Sequence, residues 1–245
     1  MNPNVHFSTQ QCPSTLSQMA QMRGVPYLEA IGSVLWSMVV PHPNTVYAVR
    51  MLSQFIQNPG LAYWEGVKRL LISYLGHMKD LWLIFGGSMH TLLGGYCDTN
   101  WASQLHHHSI SRFSFHYGQN AVSWSSKKQS IITLSSTIAE YVAETHAAKE
   151  GIWLKTFVKT ITGEKKGPLT IMTDNQEAIV LTKDDKFHTR IKHMDLRYHF
   201  VHEAVEDGKI MMKYIPTSKT WLISSPRPKP KFTEFVAWLG LAIIM

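Results

Sequence analysis

The chain has 245 residues, enough for one large domain or two small ones with a buried core. Hydrophobic residues make up 44% of it, which argues against a disordered protein. The two cysteines, Cys12 and Cys97, make no metal-type pair, so a disulfide framework and a Cys-rich zinc site are not indicated. The net charge of +7 favours an anionic partner, most commonly nucleic acid. A basic protein without such a partner is the alternative that charge alone leaves open.

The ends of the chain and the few cysteines bear on where the protein works. Residues 1–10 are polar and do not have the pattern of a signal peptide. The apolar tail Leu239–Met245 is too short to span a bilayer, and we expect it to pack against the domain with a frayed end. These features predict an intracellular protein, in the cytoplasm or the nucleus, that is not secreted and has no membrane partner.

The first part of the chain is predicted to be a helical segment, residues 25–88, after an extended lead-in over residues 1–24. Apolar residues recur at helical spacing and stop at proline or Asn-Pro-Gly signals. The predicted elements are the helices Tyr27–Val40, Thr45–Gln57 and Leu61–Leu75 and the strand Leu81–Phe85. The expected core residues are Leu35, Met38, Leu52, Phe55, Val67 and Leu71.

Residues 89–245 are assigned to a second domain, because short stretches of strand type now alternate with turns and helices. The predicted strands are Leu92–Trp101, Ile110–Tyr117, Ala121–Ser126, Leu169–Thr173 and Lys209–Ile215. The predicted helices are Ser136–Ile161, Asn175–Thr182, Met194–Glu206 and Lys231–Leu239. This order is typical of a mixed α/β domain.

Three acidic residues lie where these elements begin or end. Asp98 is near the end of a strand, Glu140 is in the first turn of the long helix, and Asp174 directly follows a strand. Acids placed in this way can converge on one pocket and offer the oxygen ligands that hard divalent cations prefer. Local alternatives exist: Asp98 could cap a turn, and Glu140 could form a capping box with Thr137. The pair Asp174-Asn175 could be a plain helix N-cap.

Motifs around these acids resemble the ribonuclease H domain of copia-type retrotransposon Pol polyproteins. They follow the family's order over about residues 88–241 and are Gly95–Ala102, Ala121–Gln129, Leu134–Tyr141, Thr173–Gln176 and Lys192–Phe200. Earlier segments resemble the thumb or connection that joins the reverse transcriptase to its ribonuclease H, namely Tyr27–Ser33, Leu52–Phe55 and Tyr63–Arg69. The polymerase's own Tyr-Val-Asp-Asp type motif does not occur in the chain, so DNA synthesis is not expected of it.

This resemblance implies a C-terminal fragment of such a Pol polyprotein with an α/β fold. The implied fold is a ribonuclease H-like mixed five-stranded sheet with flanking helices, preceded by a small helical segment. Asp98, Glu140 and Asp174 would be the catalytic, metal-binding acids, holding two Mg²⁺ ions, with Mn²⁺ as a substitute. An RNA–DNA hybrid is the implied partner, together with a reverse transcriptase domain outside this chain. Bases that could contact its phosphates, each with a solvated surface as the alternative, are Lys127, Lys128, Arg190, Lys192 and Arg197.

One stretch departs from the family. The fourth catalytic aspartate, which the family carries in a Val-Ala-Asp-Ile-Phe-Thr-Lys type motif, is lost, and Ile223 stands in its place. A reading-frame slip would explain this, because codons for Lys-Thr-Trp-Leu-Ile-Ser-Ser-Pro-Arg can be read in another frame as Asn-Val-Ala-Asp-Ile-Phe-Thr-Lys. Asp195 and Glu234 are the candidate substitutes for the lost acid. The histidines 106–108 look like a metal tract, but we interpret them as a surface loop.

The predicted function is that of a ribonuclease H-type endonuclease that hydrolyses the RNA strand of a hybrid by a two-metal mechanism, with activity impaired by the missing acid. The alternative is a catalytically dead remnant of a decayed retrotransposon that binds nucleic acid and cleaves nothing. Metal-dependent cleavage separates the two. A zinc-binding module is disfavoured because paired cysteines are missing.

Overall fold

The computed structural model describes residues 7–39, 45–76, 80–83, 93–100, 108–118, 120–133, 135–163, 167–182, 197–217 and 229–243. These residues form two compact units. The first contains the described residues of Met1–Ile84 and Ile223–Met245, and the second contains those of Phe85–Leu222. The C-terminal residues thus group with the first unit, whereas the sequence analysis placed them in the second domain, 89–245.

A short helix opens the first unit where an extended lead-in, 1–24, was predicted. This helix, α1, spans Leu16–Met22. Its N-cap is Thr15, whose side chain accepts a hydrogen bond from the Gln18 backbone N–H, while the Gln18 side chain accepts one from the Thr15 N–H. Because this capping box satisfies N–H groups that a helix end leaves unpaired, it starts a helix in a polar stretch without an apolar face. The prediction for this stretch was therefore wrong.

Three further helices of the first unit confirm the predicted helical character of residues 25–80. They are α2 Tyr27–Val39, α3 Val46–Ser53 and α4 Leu61–Lys68, and α4 continues as a π-helix over Arg69–Leu75. Their apolar faces form one core, in which Leu52, Phe55 and Val67 are buried and Leu35, Met38 and Leu71 are partly buried. All six residues that were predicted to pack here do so.

The end of the chain supplies a strand to the first unit. After α8, Lys229–Trp238, Gly240 adopts a left-handed backbone with φ of 82°, and the strand β7, Leu241–Ile243, follows. It pairs antiparallel with β1, Leu81–Leu83. The tail is therefore a paired strand, where the sequence analysis expected a packed segment with a frayed end. Among the described helices of the chain, none is long and apolar enough to cross a membrane.

The second unit is built on a mixed five-stranded sheet. The strands are β2 Gly94–Asn100, β3 Ile110–Tyr117, β4 Asn120–Lys128, β5 Leu169–Thr173 and β6 Ile210–Tyr214. They lie in the order β4-β3-β2-β5-β6. The central strand β2 pairs antiparallel with β3 and parallel with β5, and β5 pairs parallel with β6. The helices are α5 Ser136–Thr162, α6 Gln176–Leu181 and α7 Arg197–Glu206. This confirms the predicted α/β class and the five-stranded sheet with flanking helices.

The long helix α5 lies close against the sheet because two glycines leave room for one aromatic ring. A Cβ atom at Gly151 of α5 would lie 2.8 Å from ring carbons of Phe115, and one at Gly95 of β2 would also overlap that ring. Phe115 is fully buried, and the core around it includes Leu169 and Ile171 of β5. The close approach holds the first turns of α5 beside the ends of β2 and β5, where the acids lie.

Candidate metal centre

Asp98 extends from the central strand of the sheet toward a buried arginine. Its neighbours Cys97 and Thr99 are buried, and Asp98 itself lies on the alternate side of β2. Arg112 is its register partner on β3 and donates a hydrogen bond from Nη1 to Asp98 Oδ2 over 3.3 Å. Burial raises the pKa of Asp98 to about 6, although Arg112 lowers it. Because Asp98 lies within a strand and is held by an ion pair, a turn-capping role is excluded.

Glu140 lies in the first turns of α5 but does not cap the helix. The N-cap is Ser135, whose side chain accepts a hydrogen bond from the Ile138 N–H at 3.2 Å. Thr137 instead donates from Oγ1 to Glu177 Oε2 at 2.8 Å, so the capping box considered for Thr137 and Glu140 is not formed. Glu140 is 7% exposed, and its Oε2 is buried without a hydrogen-bond partner among the described residues. Burial, followed by the nearby Asp98 and Asp174 charges, raises the pKa of Glu140 to about 9.

Asp174 follows β5 directly, and the residue after it takes the capping role. Asn175 is the N-cap of α6, since its Oδ1 accepts a hydrogen bond from the Ala178 N–H at 3.0 Å. Asp174 Oδ2 accepts one from the Thr217 hydroxyl at 2.7 Å. Asp174 is therefore oriented by Thr217, and the capping role falls to Asn175.

The structure brings these three acids together, as predicted. One carboxylate oxygen from each of Asp98, Glu140 and Asp174 lies within 4.8 Å of the others. The cluster offers oxygen donors only, which suits a hard divalent cation. The neighbouring carboxylates raise the pKa of Glu140, and its Oε2 is buried without a donor among the described residues, so a bound cation would offset both effects. The residues present fit a divalent metal, while their catalytic and metal-binding roles stay predictions.

A buried amide connects the strand and the helix that carry two of these acids. Gln129 is 1% exposed, and its Nε2 donates to the Ala139 carbonyl at 2.8 Å and lies 3.3 Å from Thr99 Oγ1. Thr99 is the neighbour of Asp98, and Ala139 is the neighbour of Glu140. Gln129 therefore fixes the spacing between the end of β2 and the start of α5.

A further carboxyl group lies one turn along α5. Glu144 is fully buried, and neither of its carboxylate oxygens has a hydrogen-bond partner among the described residues. Burial raises the pKa of Glu144 to about 8. Burial and the neighbouring Glu144 together hold the pKa of the Cys97 thiol well above its usual range. A second buried carboxyl group therefore lies one helical turn from Glu140.

The structure describes the side chains of two of the five basic residues that were predicted to contact nucleic acid. Lys127 is exposed and Lys128 is half-buried at the end of β4. His108, from the histidine run, donates from Nδ1 to the Gln129 carbonyl at 2.9 Å. Glu234, considered as a substitute acid, is an exposed residue of α8 in the first unit. The side chains or residues that lie outside the described part are His106, His107, Arg190, Lys192, Asp195, Arg197 and Ile223.

Residues beside the cluster were missed by the sequence analysis. Arg112 and Gln129 are polar residues at or next to strands, and nothing in a linear pattern shows that they face the acids. Glu144 carried a weak signal, because it follows Glu140 by four positions and so shares its helix face. Thr217 carried no signal at all.

Comparison with known proteins places the chain among transposon proteins. It is 36% identical over 232 residues to the retrovirus-related Pol polyprotein from transposon TNT 1-94 of Nicotiana tabacum, a match that covers 94% of this chain and 17% of that protein. It is 28% identical over 218 residues to the corresponding polyprotein from transposon RE2 of Arabidopsis thaliana, covering 88% of this chain and 15% of that protein. No family model matches the chain.

A shorter protein matches over nearly its whole length. Secreted RxLR effector protein 161 of Plasmopara viticola is 40% identical over 134 residues, which are 54% of this chain and 94% of that protein. Among solved structures, the crystal structure of LC11-RNase H1 in complex with RNA/DNA hybrid has a TM-score of 0.36 and 12% identity, covering 52% of this chain and 88% of that one.

The molecule is thus a two-unit protein in which an α/β unit carries a buried carboxylate cluster. By sequence, it belongs to the family that includes these transposon Pol polyproteins and the effector protein. The chain spans 17% and 15% of the two Pol polyproteins.

Proposed function

We propose that this chain is a ribonuclease H-type endonuclease segment of a copia-type retrotransposon Pol polyprotein, acting on the RNA strand of RNA–DNA hybrids and impaired by the loss of one acid. The convergence of Asp98, Glu140 and Asp174 within 4.8 Å carries the proposal. The match to plant transposon Pol polyproteins over 94% of the chain supports it. The helical first unit would correspond to the thumb or connection segment of the adjoining reverse transcriptase.

The three acids would hold Mg²⁺, or Mn²⁺ in its place. When bound, the metal would lower the pKa of a coordinated water and offset charge on the phosphate. The chain's own contribution is to position the ligands. Arg112 orients Asp98, Thr217 orients Asp174, and Gln129 holds the backbone beside Glu140. Because the site is largely buried, electrostatic interactions within it are stronger than in bulk water.

A missing metal ligand accounts for the expected impairment. The family holds two divalent ions with four carboxylates, whereas the cluster in this chain supplies three. Ile223 cannot ligate a metal, so a second ion should bind weakly. We expect weak or absent cleavage at millimolar Mg²⁺, with partial rescue by Mn²⁺, which binds such sites more tightly than harder ions do.

Contact with the hybrid would depend on basic residues outside the cluster. Lys127 is exposed at the end of β4, and the whole chain has a net charge of +7. Neutralising phosphates releases counterions, so binding should weaken steeply as salt rises. The 2′-hydroxyl groups of the RNA strand would distinguish it from DNA.

The test is cleavage of a labelled RNA–DNA hybrid by the full chain, with Mg²⁺ or Mn²⁺, beside single-stranded RNA and double-stranded DNA. Asp174→Asn and Glu140→Gln should each remove the residual metal-dependent cleavage. Glu203→Gln, which removes an exposed carboxylate of α7, is the matched control and should cleave like the unaltered chain. Equal cleavage by the Asp174→Asn variant would show that the cluster is not the active site.

The alternative, a binding remnant without catalysis, is favoured by the replacement of the fourth acid with Ile223. A chain in which the Val-Ala-Asp-Ile-Phe-Thr-Lys stretch has been restored decides between the two. We expect restoration to raise cleavage sharply. Salt-dependent hybrid binding without cleavage, in both the original and the restored chain, would establish the remnant instead.

A further inference from the structure

A buried arginine lies against the proposed metal ligands. Arg112 is 2% exposed, and strand pairing places it directly opposite Asp98, with 3.3 Å between Arg112 Nη1 and Asp98 Oδ2. Exposed ion pairs contribute little because both partners remain solvated and mobile. This pair differs, because the β-ladder fixes both backbones and the guanidinium is withdrawn from water. The contact is therefore a built part of the site.

The arginine brings a permanent positive charge to a site that would bind cations. A guanidinium is a fixed cation in proteins, so the positive charge stays beside the acids. It occupies Asp98 Oδ2, and a divalent ion using Asp98 must share that carboxylate with it. Like charges repel more strongly in a buried site than in water. Because the Arg112 side chain is buried, its charge stays beside Asp98 as long as β3 keeps its place in the sheet.

We infer that Arg112 acts as an internal counter-cation that sets the metal affinity of the cluster. It offsets part of the negative charge of Asp98, Glu140 and Asp174 when no metal is bound, and it lowers the affinity of the cluster for divalent ions. The inference rests on the proposed function, since it takes the three acids to be the metal site. Arg112 thus stabilises the metal-free fold at the expense of metal binding.

The experiment measures Mn²⁺ binding to the full chain by the loss of the free-ion paramagnetic resonance signal. Arg112→Gln deletes the charge but keeps a hydrogen-bond donor for Asp98. We expect it to bind Mn²⁺ at least about tenfold more tightly, equivalent to about 1.4 kcal/mol. Its metal-free melting temperature should fall and should recover in Mn²⁺. Arg112→Lys keeps the charge and should bind Mn²⁺ like the unaltered chain.

Lys159→Gln is the control for net charge, because Lys159 is exposed and roughly 28 Å along α5 from Glu140. It should leave Mn²⁺ affinity unchanged. Should Arg112→Gln not fold without metal, the same variant is refolded in Mn²⁺ and its melting temperature is followed against Mn²⁺ concentration, because an ion that binds the folded state alone raises that temperature. A folded neutral variant with equal or weaker Mn²⁺ affinity overturns the inference.

Asp174→Asn separates this inference from the proposed function. Weaker Mn²⁺ binding by Asp174→Asn, with unchanged affinity in Arg112→Gln, would overturn the role of Arg112 alone. Equal Mn²⁺ binding by Asp174→Asn and the unaltered chain would mean that the acids are not the metal site, and both proposals would then fail.

Discussion

The two compact units bury different kinds of residue. In the described part of the first unit, the core consists of aliphatic and aromatic side chains. Thr45 is the one buried polar or charged residue there. In the second unit, the interior also holds Arg112, Gln129, Glu140 and Glu144, each at most 7% exposed. Both units have a packed apolar core, so folding alone does not account for the difference.

Burying a charged group costs free energy unless it is paired, and unpaired buried carboxyls keep their protons instead. Glu140 and Glu144, with pKa values raised to about 9 and about 8, show that cost. The first unit can be understood from its packing. The second carries groups that packing does not require, and such groups are a physical mark of a functional site.

The largest expected effect comes from removing a buried carboxyl group, that of Glu144, in the second unit. Below a pH of about 4.3, Glu144 is protonated in both the folded and unfolded states. As pH rises from there to about 8, the unfolded state loses its proton first, so the metal-free protein loses stability over that window. Glu144→Gln should remove this loss and stabilise the protein at pH 9 by on the order of a few kcal/mol.

Urea unfolding at pH 5 and pH 9, with hydrogen exchange of α5 as a local readout, measures this effect. Glu203→Gln, at an exposed position of α7, is the control and should not change the pH dependence. If Glu144→Gln loses stability equally at both pH values, the carboxyl makes a favourable contact, and the contrast between the two units weakens.

A smaller effect is expected from the amide that links strand and helix. Gln129→Ala removes the buried amide that donates to the Ala139 carbonyl and to Thr99, and it should cost about 1–3 kcal/mol. It should also weaken Mn²⁺ binding by roughly tenfold, as loss of groups that orient ligands commonly does. Ser123→Ala is the matched control, because Ser123 of β4 donates to Glu150 of α5 at 2.6 Å and so ties the same helix to the sheet farther from the acids. Equal Mn²⁺ affinities in the two variants would reduce Gln129 to a structural role.

The smallest effect is expected in the first unit. Tyr63→Phe removes the hydrogen bond from the Tyr63 hydroxyl to the Ser8 carbonyl, 2.5 Å, but keeps the ring stacked on Phe55 at 4.1 Å. The expected cost is about 0.5–1.5 kcal/mol, measured by hydrogen exchange in α4. Exchange in α5 and Mn²⁺ affinity should not change. A shift in Mn²⁺ affinity would show that the first unit contributes to the site after all.

Local patterns in the sequence were enough to predict most of the second unit. Alternation and turns gave its strands, and the long helix ends where Gly163 takes a left-handed backbone with φ of 71°. The convergence of the three acids could be predicted from their places at element ends together with the resemblance of the motifs around them to a known family. Arg112 could not, since its role depends on strand register, which pairs residues fourteen positions apart.

The predictions failed where a short local signal or a distant pairing decided the structure. The capping box at Thr15 and Gln18 starts a helix without any apolar periodicity. The strand Leu241–Ile243 exists because Leu81–Leu83 lies beside it, and no pattern within three residues announces such a partner. The same pairing lies within the unit that groups the C-terminal residues with the first part of the chain.

The pairing of β1 with β7 also has a consequence for biosynthesis. The ribosome releases Leu81–Leu83 long before Leu241–Ile243, and the whole five-stranded unit is made between them. The later unit can therefore fold on the ribosome while β1 still has an unpaired edge. Unpaired edges are sites of aggregation, so chains stalled or clipped before residue 241 should be handed to chaperones or proteases more often than chains that contain β7.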